Sequence, residues 1–150
     1  MGKYKVYIYS CPCNLPTPFI AHNWIVIDND GQIERWEAGY MKNIGEENYG
    51  HLRKNLLKGN YCDGIAIIPG VGKRWKGTIV SSVSGDDQSI AYQLIRYIKD
   101  SPKNYPHKGK YSLLGPNSNT YVQWVINAFP DSGLKLPYNS LGKGFGSKLF

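Results

Sequence analysis

The sequence predicts a single α+β domain in which a small, mostly antiparallel sheet packs with helices. Three observations carry this reading. Residues 19–38 hold two β-branched and aromatic runs on either side of Asn29-Asp30-Gly31, a hairpin signature. Ile90, Ala91, Leu94, Ile95 and Ile98 recur at helical spacing. A second helical run, Thr120 to Phe129, stands between a polar cluster and Pro130.

The elements follow in order. Lys3 to Tyr9 alternates basic or polar residues with Val6, Ile8 and tyrosines, and reads as a strand. Cys11 to Pro18 carries three prolines in eight residues and reads as a loop. Phe19 to Asp28 is the outgoing strand of the hairpin and Gln32 to Ala38 the return strand. Gly45 to Gly59 is mixed and polar, with a short helix around His51 to Leu57. Asp63 to Pro69 is a buried strand, Gly70 to Gly77 a basic loop, and Thr78 to Val83 a weak strand. Gly85-Asp86-Asp87 supplies capping chemistry for the helix that Ser101-Pro102 ends. The tail from Leu141 to Phe150 is rich in Gly and Lys and reads as irregular. No repeat or linker divides the 150 residues, a length that suits one domain with its own core.

Composition narrows the function classes. Apolar content of 41% and charged content of 19% are ordinary for a globular protein, while 12 Tyr and 4 Trp imply rings at the surface or along a groove. A net charge of +7 suits an anionic partner such as a membrane surface or an acidic polymer. The cations are scattered, without a run of five, so a solvated basic surface is the default reading, and a nucleic acid is not the expected partner. Three Cys make no disulfide framework, and Cys11-Pro12-Cys13 is too short for the usual zinc knuckle, so no metal or organic cofactor is expected. Gly70-Val71-Gly72-Lys73 lacks the flanking Gly and Ser/Thr of a phosphate loop. The start has no signal-peptide core and no stretch is long enough to span a membrane. The expectation is a cytoplasmic chain; delivery by a dedicated export machine would leave the same pattern.

Chemistry concentrates in two places. Gly115-Pro116-Asn117-Ser118-Asn119-Thr120 puts a hydroxyl and two carboxamides where a helix begins, and where unpaired N–H groups and the helix dipole favour negative charge. Such residues usually cap the helix. Ser118 there is also placed for attack, with first-turn N–H groups to hold an oxyanion. His22 lies inside a strand with Trp24 on the same face, as a structural hydrogen-bonder or a general base. The return strand brings Glu34 and Glu37 alongside. Glu34 reads as solvent-facing, and Glu37, between Trp36 and Ala38, as the carboxylate able to orient an imidazole. His51 and His107 read as exposed loop residues.

Four segments resemble a bacterial family known only as a domain of unknown function: A-H-N-W-I at 21–25, W-E-A-G-Y at 36–40, Y-P-H-K-G-K-Y-S-L-L-G-P-N-S-N-T-Y-V at 105–122 and L-P-Y-N-S-L-G-K at 136–143. The resemblance covers roughly residues 19–145. That family is distantly similar to circularly permuted papain-like proteins, the permuted NlpC-type peptidases and the lecithin:retinol acyltransferase group. The resemblance implies a papain-like fold, with His22 as base, Glu37 as orienting residue and Ser118 in the place of a catalytic Cys. Asn117, Tyr121 and Val122 match the flanks of that position. A hydrolase or acyltransferase acting on an amide or ester is then implied, with a peptide or acyl-bearing substrate. Main-chain N–H groups of Asn119 and Thr120, and the Asn117 or Asn119 carboxamide, would hold the oxyanion. Trp24, with the Tyr-rich surface and Tyr121, would form part of the substrate site. The alternative is a binding module of the same fold in which these polar residues only cap, His22 is structural, and the basic surface meets an anionic polymer or membrane.

Overall fold

The computed structural model describes residues 2–13, 20–57, 59–65 and 74–146. Five antiparallel strands form the main sheet: β1 (Tyr4–Cys13), β2 (Ile20–Asn29), β3 (Gln32–Ala38), β4 (Leu52–Lys54) and β7 (Thr78–Gly85), in the order β4-β3-β2-β1-β7. Between them in sequence, β5 (Asp63–Ile65) and β6 (Arg74–Lys76) pair into a small second sheet. Helices α1 (Ile90–Lys99), α2 (Ser101–Asn104) and α3 (Ser118–Ala128) follow, then a 3₁₀ turn at Pro130–Ser132. The expected α+β class with a mostly antiparallel sheet is what the chain adopts.

The β2–β3 hairpin turns where the sequence places it. Asp30 and Gly31 take φ of +52° and +96°, and the Gly31 N–H donates to Asp28 Oδ1 at 2.8 Å. One face of the sheet, with Val6, Ile8, Ile25, Ile27, Trp36, Ala38 and Leu52, buries against Leu94, Ile95 and Ile98 of α1 and Tyr121, Val122, Val125 and Ile126 of α3. The other face buries Cys11, Trp24 and Val26 beneath Tyr7, Tyr9, Tyr61 and Trp75. Both faces of β2 are therefore covered, which is why residues 23–27 are all buried. The Trp24 indole N–H donates to the Tyr61 carbonyl at 2.9 Å, and a Cβ on Gly77 would come within 2.7 Å of the same ring. The second layer thus closes directly over Trp24.

Several local expectations are corrected. Cys11, Pro12 and Cys13 extend β1 instead of opening a loop. The β1–β7 pairing stops at Ser10↔Thr78, so Pro12 lies where β1 has become an edge and needs no donor on that side. His51 to Leu57 is no helix: Leu52 faces the core and Arg53 the opposite side, a period of two, as β4 pairs with β3. Arg74 to Lys76 is a strand within the expected basic loop. The cap of α1 is Ser89, whose Oγ accepts the Tyr92 N–H at 3.2 Å, whereas Asp86 and Asp87 accept from the Lys3 N–H and Tyr4 Oη. Residues 14–19, 58, 66–73 and 147–150, among them Phe19 of the expected outgoing strand and parts of the expected loops, buried strand and tail, lie outside the described residues. Among the described residues no helix is long and apolar enough to cross a membrane.

Candidate active site

Helix α3 begins where β2 leaves β3. The two strands pair only as far as Ile25↔Trp36. Beyond that point the backbone of β2 is satisfied from elsewhere. The Asn23 N–H donates to Asn119 Oδ1 at 3.1 Å, the Ala21 carbonyl accepts Asn119 Nδ2 at 2.8 Å, and the Ala21 N–H donates to the Asn139 carbonyl at 3.1 Å. The first turn of α3 is thereby seated against the strand that carries His22.

This seating brings the three expected catalytic side chains together. Ser118 Oγ stands 2.8 Å from His22 Nδ1, and Glu37 Oε2 stands 3.3 Å from His22 Nε2. Ser118 is 4% exposed and Glu37 1%, while the His22 side chain keeps 20% of its surface. The charge state of Glu37 fixes the direction of the bond at Nε2. Burial pushes its carboxyl upward, but the Arg35 guanidinium and the His22 hydrogen bond outweigh burial and hold it down to about 2. An ionised carboxylate only accepts. An N–H at His22 Nε2 therefore donates to Glu37; when that is the ring's one proton, a bare Nδ1 faces the Ser118 hydroxyl, whose oxygen also lies 3.4 Å from Asn119 Oδ1.

Arg35 is the residue that sequence reasoning missed. It is fully buried, and its Nε and Nη2 donate to Glu37 Oε1 at 2.6 Å and Oε2 at 3.2 Å. Nη1 donates to the Asp63 carbonyl of β5, and the guanidinium lies 4.4 Å from the Trp24 ring centroid. Across β3–β4, Arg53 pairs with Glu37 in register. It is 3% exposed, donates to the Met41 carbonyl at 3.1 Å, and leaves its Nε without a partner.

The residues expected to hold an oxyanion do something else. Asn117 caps α3: its Oδ1 accepts the Asn119 and Thr120 N–H groups at 2.9 and 3.2 Å, and Thr120 Oγ1 accepts the Asn117 N–H at 3.0 Å. Both of those main-chain donors are spent on the cap. The N–H of Ser118, the first helical residue, has no acceptor within the helix. Both carboxamides are spent as well. Asn117 Nδ2 donates to the Leu113 and Leu141 carbonyls at 2.9 Å, and Asn119 Nδ2 to the Ala21 and Leu141 carbonyls. Thr120 Oγ1 donates to the Gly142 carbonyl at 2.7 Å. These bonds strap the segment around Asn139–Gly142 across the helix start. A Cβ on Gly142, at φ +90°, would strike Asn117 at 2.4 Å. Residues 138–144 line an open depression of about 410 Å³ on this strap.

Trp24 and Tyr121, expected at the substrate, are fully buried. Trp24 lies under the His22 ring at 5.5 Å between centroids, and Tyr121 Oη bonds Ser101 Oγ at 2.9 Å. His51 is buried, with Nδ1 bonded to the Gly39 carbonyl at 2.9 Å and its ring against Tyr111. His107 is half-buried, in ring contact with Tyr105 and Phe145. Glu34 is not solvent-facing: its side chain is 12% exposed, accepts the Trp36 indole N–H, and pairs with Lys54 and Lys99. Cys11 is buried opposite His22 in the β1–β2 pairing, and exposed Cys62 donates to Tyr9 Oη. Among the described residues no three His, Cys, Asp or Glu side chains gather to hold a metal ion.

No curated protein and no solved structure matches the chain. A family described as Protein of unknown function (DUF3750) matches residues 3–145, nearly the whole length, and the chain belongs to that family.

Proposed function

We propose that the chain is a hydrolase or acyltransferase that cleaves an amide or ester through Ser118, His22 and Glu37. The observation that carries this reading is the Ser118 Oγ to His22 Nδ1 bond of 2.8 Å, with a buried carboxylate on the far ring nitrogen. Serine depends wholly on its base, and a neutral imidazole with a bare nitrogen toward the hydroxyl is what it needs. Nδ1 takes the hydroxyl proton as Oγ attacks the carbonyl carbon. The oxyanion forms against the Ser118 N–H and the positive end of α3. Nδ1 then returns the proton to the leaving amine or alcohol, which leaves an acyl-serine. Water or a second hydroxyl or amine, deprotonated by the same nitrogen, releases the acyl group. Throughout, Glu37 Oε2 accepts the Nε2–H and answers the charge on the imidazolium. The open depression lined by residues 138–144, on the segment strapped across the helix start, is where the acyl or peptidyl part would lie on this reading.

The order of parts supports a papain-like architecture of permuted type: base on β2, orienting residue on β3, and nucleophile at the start of a late helix. A serine-directed fluorophosphonate tests the reading. Wild-type protein is expected to gain one covalent adduct, and Ser118→Ala and His22→Ala none. Wild-type protein that neither takes the adduct nor forms an acyl-serine with a p-nitrophenyl acyl ester overturns it.

One observation favours a second reading, a face for an anionic polymer or membrane. From residue 101 to 146 the chain has five Lys and one acid, Asp131, and Leu113 and Leu114 beside the site are 51% and 72% exposed. Salt-sensitive binding to vesicles of phosphatidylglycerol that survives Ser118→Ala is its expected result. Equal binding to phosphatidylcholine vesicles contradicts it.

A further inference from the structure

We infer that Arg35 is a positioning residue: by forking the Glu37 carboxylate it sets which nitrogen of His22 carries the proton. This deepens the acyl-transfer reading and rests on it for its catalytic meaning. Arg35 and Glu37 stand two apart on β3 and so share a face. The guanidinium has no freedom left. Nε and Nη2 hold the two carboxylate oxygens, Nη1 holds the Asp63 carbonyl of β5, and the flat face lies over Trp24 of β2. Trp24 in turn packs under His22. Rigid bidentate holding of this kind fixes both the ionisation and the rotation of a carboxylate.

The groups that face Glu37 show why nothing else does this. His22 approaches from β2 and presents Ser118 of α3 behind it. Arg53 pairs in register from β4 and its charge interacts with Glu37, but its Nη2 is spent on the Met41 carbonyl, its Nε reaches no acceptor, and it does not grip the carboxylate as Arg35 does. With Arg35 gone, Glu37 is a buried carboxyl whose remaining hydrogen bond is to His22, and burial favours its neutral form. A protonated carboxyl donates. It would donate to Nε2, and the imidazole proton would move to Nδ1, where it points at Ser118 Oγ. That tautomer cannot accept the hydroxyl proton. Arg35 thus keeps the proton on the nitrogen away from the nucleophile.

The test is nitrogen NMR of His22 in the full chain labelled with ¹⁵N-histidine. Wild-type protein is expected to show the Nε2–H form. Arg35→Met is expected to move the population to Nδ1–H at neutral pH and to return it to Nε2–H at alkaline pH as the carboxyl ionises. Fluorophosphonate labelling should follow the same pH course, about 100-fold or more slower than wild type at neutral pH. A purely structural role for Arg35 does not produce this reversible pH course. Glu37→Gln is a second variant of the same shape. Arg35 Nε keeps the amide oxygen, so the amide N–H₂ turns to His22 and the Nδ1–H form is expected. Retention of Nε2–H in a folded Arg35→Met, or in Glu37→Gln where Arg35→Met fails to fold, overturns the inference. The spectra need no turnover, so the two ideas fail separately. A chain that never labels but switches tautomer loses the acyl-transfer reading and keeps the role of Arg35. A chain that labels without switching does the reverse.

Discussion

Asn119→Ala removes the side chain that fastens the helix start to the strand bearing the base. Its carboxamide makes four bonds of 3.1 Å or less, from the Asn23 N–H at 3.1 Å, from Asn23 Nδ2 at 2.7 Å, to the Ala21 carbonyl at 2.8 Å and to the Leu141 carbonyl at 3.0 Å, besides a longer one from Ser118 Oγ at 3.4 Å. Two of the partners keep another bond, since Asn23 Nδ2 also reaches Ser140 Oγ and the Leu141 carbonyl also takes Asn117 Nδ2. The Asn23 N–H and the Ala21 carbonyl are left in the interior without that partner, because β3 has already diverged from β2 at this point. An orphaned buried backbone group costs about 1–3 kcal/mol and a lost bond with a remaining partner about 0.5–1.5 kcal/mol. Alanine returns only a few tenths of a kcal/mol in helix propensity, roughly. The expected loss is therefore about 3–8 kcal/mol, a large share of the stability of an ordinary domain. Urea unfolding followed by tryptophan fluorescence measures it as a lower midpoint at unchanged slope. A loss under about 1 kcal/mol would refute the reasoning, because a carboxamide in four bonds at 2% exposure cannot be removed so lightly.

Three further outcomes follow from single groups. The Glu37 carboxyl is held down to about 2 in the folded chain by Arg35 and His22 against its burial, so it stabilises the fold above its unfolded value of 4.5 and that stability is lost as pH falls from there through 2. The contribution is about 3 kcal/mol, seen as an acid-side fall in melting temperature that is much reduced in Glu37→Gln. Tyr105 Oη is buried with no hydrogen-bond partner, so Tyr105→Phe should leave stability unchanged or raise it by up to ~1 kcal/mol; a loss above that would show a bond to the hydroxyl. A Cβ on Gly39 would fall 2.1 Å from Arg53 Cζ, so Gly39→Ala must displace the guanidinium from the Met41 carbonyl, at about 1–3 kcal/mol in the same urea measurement; an unchanged midpoint would contradict that packing.

How legible the site was depended on the range of the interactions. The hairpin and the helix start are local, carried by Asn29-Asp30-Gly31 and by the polar residues after Pro116; the hairpin put Glu37 beside His22, whereas the pairing of Ser118 with them is a long-range contact that only the family resemblance suggested. The spent oxyanion donors also had a local signal. Asn117 and Thr120 stand at the spacing of a capping box, which consumes the Asn119 and Thr120 N–H groups. Arg35 was invisible for a different reason. A charged residue on a two-faced hairpin reads as solvent-facing, and only the β5–β6 layer over Trp24 puts it inside. β5 lies within the strand expected from Asp63 to Pro69, but three residues give no sign of what they cover, and β6 fell inside the expected basic loop. β4, as short, escaped too, and with it Arg53 and the burial of His51.

The central claim is that Ser118 is a nucleophile activated by His22. Intact-mass measurement after fluorophosphonate treatment, followed by peptide mapping, tests it most directly. The account predicts a single adduct on Ser118, abolished in Ser118→Ala and His22→Ala and strongly slowed in Glu37→Gln. No adduct on Ser118, or one formed equally fast without His22, would contradict it.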